Sequence, residues 1–332
     1  MANVLLTEKC VRSCPYCFAK EHMDGAESDR MITWDNLIYI ADLLEISRDP
    51  HIALLGGEPT LHPDFIDFVL YLLERNFRVN VFTNGIMSKE KLKEGERYLA
   101  RVNPEMLSFT CNMNHPDIST PKEIEKVENF LKVFGHLISP GFNIYEPEFN
   151  LDFILQYINK YGLKRHIRIG LAHPIPGEKN AYVAIKDMKK MAERFMHYVR
   201  IFERLRIAPG FDCGMPMCLF SEEQIGKLYK ITNGNLKYGC GPAIDIGPDM
   251  NVWPCFPLSN FQKKSIYDFN SIQEIRDYYE KVHEKIRTEV GGVFEECDDC
   301  RYREINLCTG GCLAHTLSAF KKEAPVRPKD VY

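Results

Sequence analysis

Apolar and polar positions change their period repeatedly along the first two thirds of the chain. Short β-branched and apolar runs at 4–7, 51–55, 78–83, 106–111, 142–145 and 166–172 predict strands. Between them apolar residues recur every three or four positions, which predicts helices over 33–46, 63–75, 89–99, 121–134, 151–161 and 185–205. In the first of these, Thr33 stands as an N-cap, and Trp34, Ile38, Leu43 and Leu44 share one face. The last carries Met188, Met191, Phe195, Tyr198 and Val199. Strand–helix alternation of this kind predicts an α/β fold of parallel strands with right-handed crossovers. Six units are too few for a closed eight-fold barrel.

Beyond residue 210 the pattern changes: Pro, Gly and Cys become dense and helical runs shorten. The expected division is a partial barrel over 1–210, a linker over 211–239 and a small cysteine-rich domain over 240–332, with 321–332 as a surface tail. At 332 residues, with 45% hydrophobic and 27% charged content, the composition is that of a soluble globular protein. A net charge of −4 without a long basic run gives nucleic acid no electrostatic footprint. No run of uncharged apolar residues is long enough to predict a membrane span, and Cys10 arrives too early for a signal peptide. Twelve cysteines in short-spaced groups do not suit a disulfide framework, which belongs to small secreted domains. Metal or cluster binding in a reducing cytoplasm is the expectation.

Cys10-Val-Arg-Ser-Cys14-Pro-Tyr-Cys17 places three thiols within eight residues, directly after the first strand. Three thiolates hold three irons of a [4Fe–4S] cube and leave the fourth iron open, whereas an ordinary cluster or a structural zinc takes four protein ligands. The spacing, with an aromatic residue before the last cysteine, resembles the radical S-adenosylmethionine (SAM) enzymes. That resemblance implies a partial (β/α)6 TIM-type barrel. It also implies a SAM molecule chelated to the open iron through its amino and carboxylate groups.

Gly56-Gly57-Glu58-Pro59 follows the second strand. By itself it reads as a loop with a surface acid, whose glycines let backbone approach a ligand. The resemblance makes Gly56, Gly57, Glu58 and Pro59 the holders of the SAM amino group. Asn84, in Thr83-Asn84-Gly85, reads as a strand-ending turn and, by resemblance, as a SAM contact. In the fourth strand Ser108, Thr110 and Asn112 share a face, and Ser108 or Thr110 is expected to meet SAM. Cys111, on the other face, reads as a packing thiol. Arg168 suits a SAM carboxylate or a structural ion pair. Tyr16 and Leu171 are expected walls for adenine. His173 reads either as a hydrogen-bonded loop histidine or as a substrate-facing one.

A second set, Cys240, Cys255, Cys297, Cys300, Cys308 and Cys312, resembles the SPASM/twitch extension, whose cysteines bind auxiliary [4Fe–4S] clusters. Asp249-Met-Asn-Val-Trp-Pro-Cys255 looks like that extension's hairpin. Cys213 and Cys218 bring the total to the eight thiols that two fully ligated clusters need. The chain departs from the pattern by lacking a final cysteine after Cys312 and by the longer Cys300–Cys308 spacing. The resemblance groups Cys240, Cys255 and Cys312 with an upstream cysteine. Cys297, Cys300 and Cys308 are then one ligand short, with His315, Asp298 or Asp299 as candidates to complete the set, unless one iron stays open or only one cluster forms.

The expected activity is cleavage of SAM to a 5′-deoxyadenosyl radical that takes hydrogen from a substrate. A peptide or protein is the favoured substrate, cross-linked or oxidised during maturation. A small molecule such as an aminosugar or cofactor precursor is the enzymatic alternative, and a zinc-stabilised binding module the non-enzymatic one. Flavodoxin or ferredoxin is the expected reductant. With so little chain before Cys10, a peptide would bind directly or through a separate leader-binding adaptor.

Overall fold

A computed structural model describes residues 1–19, 30–176, 180–212, 214–236 and 238–323. Seven parallel strands follow one another in chain order: β1 (Ala2–Thr7), β2 (His51–Gly56), β3 (Arg78–Thr83), β4 (Leu107–Asn112), β5 (Ile138–Ile144), β6 (His166–Leu171) and β7 (Ala208–Phe211). Helices α1 (Trp34–Ile46), α2 (Phe65–Glu74), α3 (Lys89–Tyr98), α4 (Pro121–Phe134), α5 (Asp152–Tyr161) and α6 (Met188–Leu205) form the crossovers. The α/β partial barrel expected from the pattern is the observed fold. Thr33 caps α1 by accepting from the Asn36 N–H, and Thr120 with Glu123 forms a capping box at α4. The buried faces of these elements merge into one core, in which Phe109, Phe130 and Phe134 pack ring on ring.

The expected linker is a folded part of this body. Residues 211–239 contain the end of β7 and helix α7 (Glu222–Ile231), and Phe220, Ile225, Leu228, Leu236 and Tyr238 belong to the barrel core. Its polar, glycine-bearing stretches concealed that apolar face. Beyond it, β8 (Asp245–Ile246) pairs in parallel with β1, and β9 (Asn251–Trp253) returns antiparallel. This is the hairpin expected before Cys255. A Cβ on Gly247 would fall 2.5 Å from Asp249 and 2.9 Å from the Trp253 ring, so the turn requires glycine. With β10 (Lys264–Ser265) the described residues form one ten-stranded sheet, which carries the C-terminal region on the open edge of β1. Helices α8 (Ile272–Val290), α9 (Arg301–Glu304) and α10 (Leu313–Glu323) complete that region. Of the expected tail, 321–323 continue α10 and 324–332 lie outside the described residues.

Candidate functional site

Each barrel strand delivers polar or sulfur-bearing residues to its carboxyl end, the edge where barrels of this type do chemistry. The cysteine loop leaves β1 at Thr7. Arg12, between Cys10 and Cys14, pairs with Glu123 of the α4 capping box at 3.1 Å and is almost wholly buried. The Tyr16 hydroxyl donates to Asn114 Oδ1 at 2.7 Å, and its ring stacks on Tyr145 at 5.1 Å. The Ala181 N–H closes the loop onto the Pro15 carbonyl at 2.8 Å. The loop is therefore held by β4, β5 and α4 as well as by its own strand.

Two side-chain amides turn toward its sulfurs. Asn114 Nδ2 lies 3.5 Å from Cys14 Sγ and Asn84 Nδ2 lies 3.9 Å from Cys10 Sγ, while the Arg12 N–H reaches Cys10 Sγ at 3.5 Å. Burial pushes the Cys10 thiol up, and the Glu58 carboxylate and Cys14 add to that. N–H donors aimed at thiolates are the outer shell that iron–sulfur ligation uses. Thus three partly buried thiols with donors on two of them fit a cluster. Asn114 escaped the sequence reading, since only the fold brings the residue after β4 to Cys14.

The Gly-Gly-Glu-Pro turn is packed against the protein's own chain. A Cβ on Gly56 would fall 2.3 Å from the Thr7 carbonyl oxygen, and one on Gly57 2.3 Å from that of Lys9. The close approach is to the chain itself, where the Gly57 and Glu58 N–H groups donate to Thr7 and Lys9 at 2.8 Å each. The end of β2 is thereby laced to the segment that enters the cysteine loop. Glu58 is no surface acid but fully buried. Its Oε1 accepts from the Thr60 N–H at 3.2 Å, the Thr60 hydroxyl at 2.8 Å and the Thr83 hydroxyl at 2.7 Å, and its Oε2 accepts from the Asn84 N–H at 2.8 Å. Burial raises its pKa against these donors. Glu58 thus ties the 3-10 turn Pro59–Leu61 to the end of β3 and aims Asn84 at Cys10.

The remaining sequence candidates line the barrel interior or its wall. Ser108 and Thr110 both donate to Asn80 Oδ1, at 3.0 and 3.2 Å. Arg168 donates to Asn112 and Asn143, at 3.0 Å each, and forms an ion pair with Asp212. This ion pair is one of its two expected roles. Leu171 is buried in the main core, and Tyr16 is almost as deep. Cys111 is fully buried, and burial pushes its thiol up to about 12, in keeping with a packing role. His173 is fully buried, 6.4 Å from the Phe18 ring and 5.2 Å from that of His315.

The C-terminal cysteines fall into two neighbourhoods. A hydrogen bond with Cys312, and after it the nearby Arg287 guanidinium, hold the Cys240 thiol down to about 6 despite burial. Arg287 also donates to the Cys240 and Thr309 carbonyls at 2.6 and 3.1 Å. Cys240, Cys255 and Cys312 share a small apolar cluster with Leu258, Ile286 and Leu313. A thiol that ionises this easily, with two sulfur neighbours, suits a metal centre. In the second neighbourhood Cys297, Cys300 and Cys308 interact with one another. Among the described residues no three His, Cys, Asp or Glu side chains converge on the position of a single metal ion.

The candidates for a missing ligand point elsewhere. His315 packs edge-on against His173 and Tyr182, and Asp298 lies 3.7 Å from Arg303. Cys213 lies outside the described residues.

Residues 4–129 match the radical SAM superfamily. The chain carries a radical SAM domain. Over 133 residues it is 36% identical to an S-adenosylmethionine-dependent nucleotide dehydratase of Selenomonas ruminantium, an alignment spanning 36% of this chain and 47% of the relative. Over 104 residues it is 30% identical to a GTP 3′,8-cyclase of Clostridium perfringens, 30% of this chain and 32% of the relative. The chain thus aligns with less than half the length of these curated relatives. Among solved structures, Streptococcus suis SuiB bound to S-adenosylmethionine superposes with a TM-score of 0.64 at 14% identity, covering 98% of this chain and 75% of that one. Native anSMEcpe with bound AdoMet gives 0.64 at 16%, covering 97% and 95%. The radical SAM domain is an enzyme's domain, and its superfamily works with a [4Fe–4S] cluster and SAM. Among the described residues no helix is long and apolar enough to cross a membrane.

Proposed function

We propose that this chain is a radical SAM enzyme that matures a peptide or protein. The loop of Cys10, Cys14 and Cys17, with amide donors on two of its sulfurs, supports the SAM chemistry. These three residues would hold the cluster, and the turn Gly56–Pro59 would receive the SAM amino group. Asn84, Ser108, Thr110 and Arg168 are the polar groups within the barrel best placed for the rest of SAM, with Tyr16 and Leu171 behind the adenine. When bound, cluster and SAM supply a 5′-deoxyadenosyl radical that takes hydrogen from substrate.

The protein's own contribution is placement. Glu58 fixes Asn84, Arg12 and Tyr16 fix the loop, and Cys240, Cys255, Cys297, Cys300, Cys308 and Cys312 would hold auxiliary clusters. Electrons would come from a flavodoxin or ferredoxin.

The peptide reading is favoured by the extent of the likeness. SuiB, which has been crystallised with its precursor peptide, covers 98% of this chain, including the C-terminal cysteine region. The small-molecule reading draws on the dehydratase, aligned over 36% of this chain, and on the cyclases, of which a probable GTP 3′,8-cyclase of Saccharolobus islandicus aligns over 61% of it at 24% identity. Replacing Cys10, Cys14 and Cys17 with Ala is expected to abolish 5′-deoxyadenosine formation under dithionite while auxiliary iron remains. Continued formation would overturn the SAM assignment. Incubating the enzyme with peptides encoded beside its gene, read by mass change, tests the substrate class.

A further inference from the structure

We propose that Cys218 is the fourth thiolate of the outer auxiliary site, joining Cys297, Cys300 and Cys308 to complete a four-cysteine [4Fe–4S] ligand set from a segment outside the C-terminal region. The proposal rests on the reading of the C-terminal cysteines as cluster ligands and adds the ligand that the sequence pattern lacks. Residues 313–332 contain no cysteine, and Cys213 and Cys218 are the cysteines that stand between the barrel strands and Cys240. The His315 ring packs against His173, and the exposed Asp298 carboxylate lies 3.7 Å from Arg303.

The backbone brings the upstream segment into place. Gly214 lies against Cys312, so closely that a Cβ there would fall 2.7 Å from the Cys312 Cβ. Pro216 lies against Gly311, where a Cβ would fall 3.2 Å from the proline ring and 2.5 Å from Val293. The Val293 N–H in turn donates to the Gly310 carbonyl at 2.8 Å, and Gly292 is pressed onto Cys297. Cys218 follows on the 3-10 turn Met217–Leu219. Cys218 is an exposed residue whose thiol interacts with three sulfurs, those of Cys297, Cys308 and Cys300. The Gly310 N–H already donates to Cys308 Sγ at 3.4 Å, and Arg303 reaches the Cys297 carbonyl at 2.9 Å. Donor and charge are therefore built beside the same set.

A consequence follows for the fold. Cys218 lies between β7 and α7, within the stretch the sequence presented as a linker, so a cluster held there would staple the barrel's far edge to the C-terminal region.

The test compares anaerobically reconstituted wild type with Cys218→Ala, Cys218→Ser, the pair Cys297→Ala/Cys300→Ala, and Cys111→Ala as a control. Cys218→Ala should lose about four irons per chain, as the Cys297/Cys300 pair does, and combining them should remove no more. Cys218→Ser, which keeps the volume and a weak oxygen ligand, should alter the electron paramagnetic resonance signal of the outer cluster. All Cys218 variants should still form 5′-deoxyadenosine. If wild type holds auxiliary iron and Cys218→Ala keeps all of it with an unchanged spectrum, the assignment of Cys218 is overturned. If wild type carries only the iron of the barrel site, or zinc at the outer one, the auxiliary-cluster reading itself fails.

Discussion

Glu58→Ala is expected to destabilise the protein, where a loop acid read from the sequence would affect SAM binding and leave the fold intact. The carboxylate is fully buried and accepts four hydrogen bonds, from the Thr60 N–H and hydroxyl, the Thr83 hydroxyl and the Asn84 N–H. Alanine strands those donors, and each buried donor left without an acceptor costs about 1–3 kcal/mol. Part of that is recovered, because the carboxylate's own desolvation, visible in its raised pKa, disappears with it. The balance is roughly 3–5 kcal/mol, the usual cost of breaking one side of a buried polar network. For a chain of this size that lowers the melting temperature by roughly 5–10 °C. Glu58→Gln keeps the three bonds to Oε1 and sets an amide against the Asn84 N–H, so it should lie between the two, about 1–3 kcal/mol down. The assay is an anaerobic thermal melt of cluster-loaded protein, with SAM affinity measured on the same samples below the melt. A Glu58→Ala protein that melts within about 1 °C of wild type yet binds SAM about tenfold more weakly would refute the reasoning and make Glu58 a pure ligand contact.

Gly57→Ala places a Cβ 2.3 Å from the Lys9 carbonyl oxygen, so the end of β2 and the entry to the cysteine loop must separate. Loss of iron from the Cys10–Cys17 site with auxiliary iron retained is expected, and full iron with normal 5′-deoxyadenosine formation would show that the lacing is dispensable. Asp245→Asn should flatten the pH dependence of stability. Burial, against donors that include the Asn3 amide at 2.6 Å, raises Asp245 to about 7 from an ordinary value near 3.8. The raised folded pKa means that its favourable balance is complete below about pH 4 and is lost as pH rises to about 7, at about 1.4 kcal/mol per unit and roughly 4 kcal/mol in all. Melts at pH 6 and pH 8 should therefore fall in wild type and hold level in the variant. Parallel slopes would remove Asp245 as the cause.

The barrel was legible because its signal is local. Alternating periods marked six strands and six helices, and the three closely spaced cysteines carried the cluster site in eight consecutive residues. The Gly-Gly-Glu-Pro turn was found as a motif, yet the surface acid it suggested is fully buried. Burial is a property of what surrounds a residue, and only the fold puts β1 against Gly56 and Gly57 and β3 against Glu58. Asn80 and Asn114 were missed for the same reason, since each acts on a partner from a different part of the chain. The stretch 211–239 looked like a connector because its turns mask a short amphipathic helix, whose apolar face shows only when packed on the barrel core. Cysteine spacing pointed to candidate ligands in the C-terminal region, because near neighbours in sequence are near in space. Which distant cysteine joins which set depends on chain crossings that spacing does not encode. The contacts of Gly214 with Cys312 and of Pro216 with Gly311, made by packing between the barrel edge and the C-terminal loop, decided where Cys218 lies.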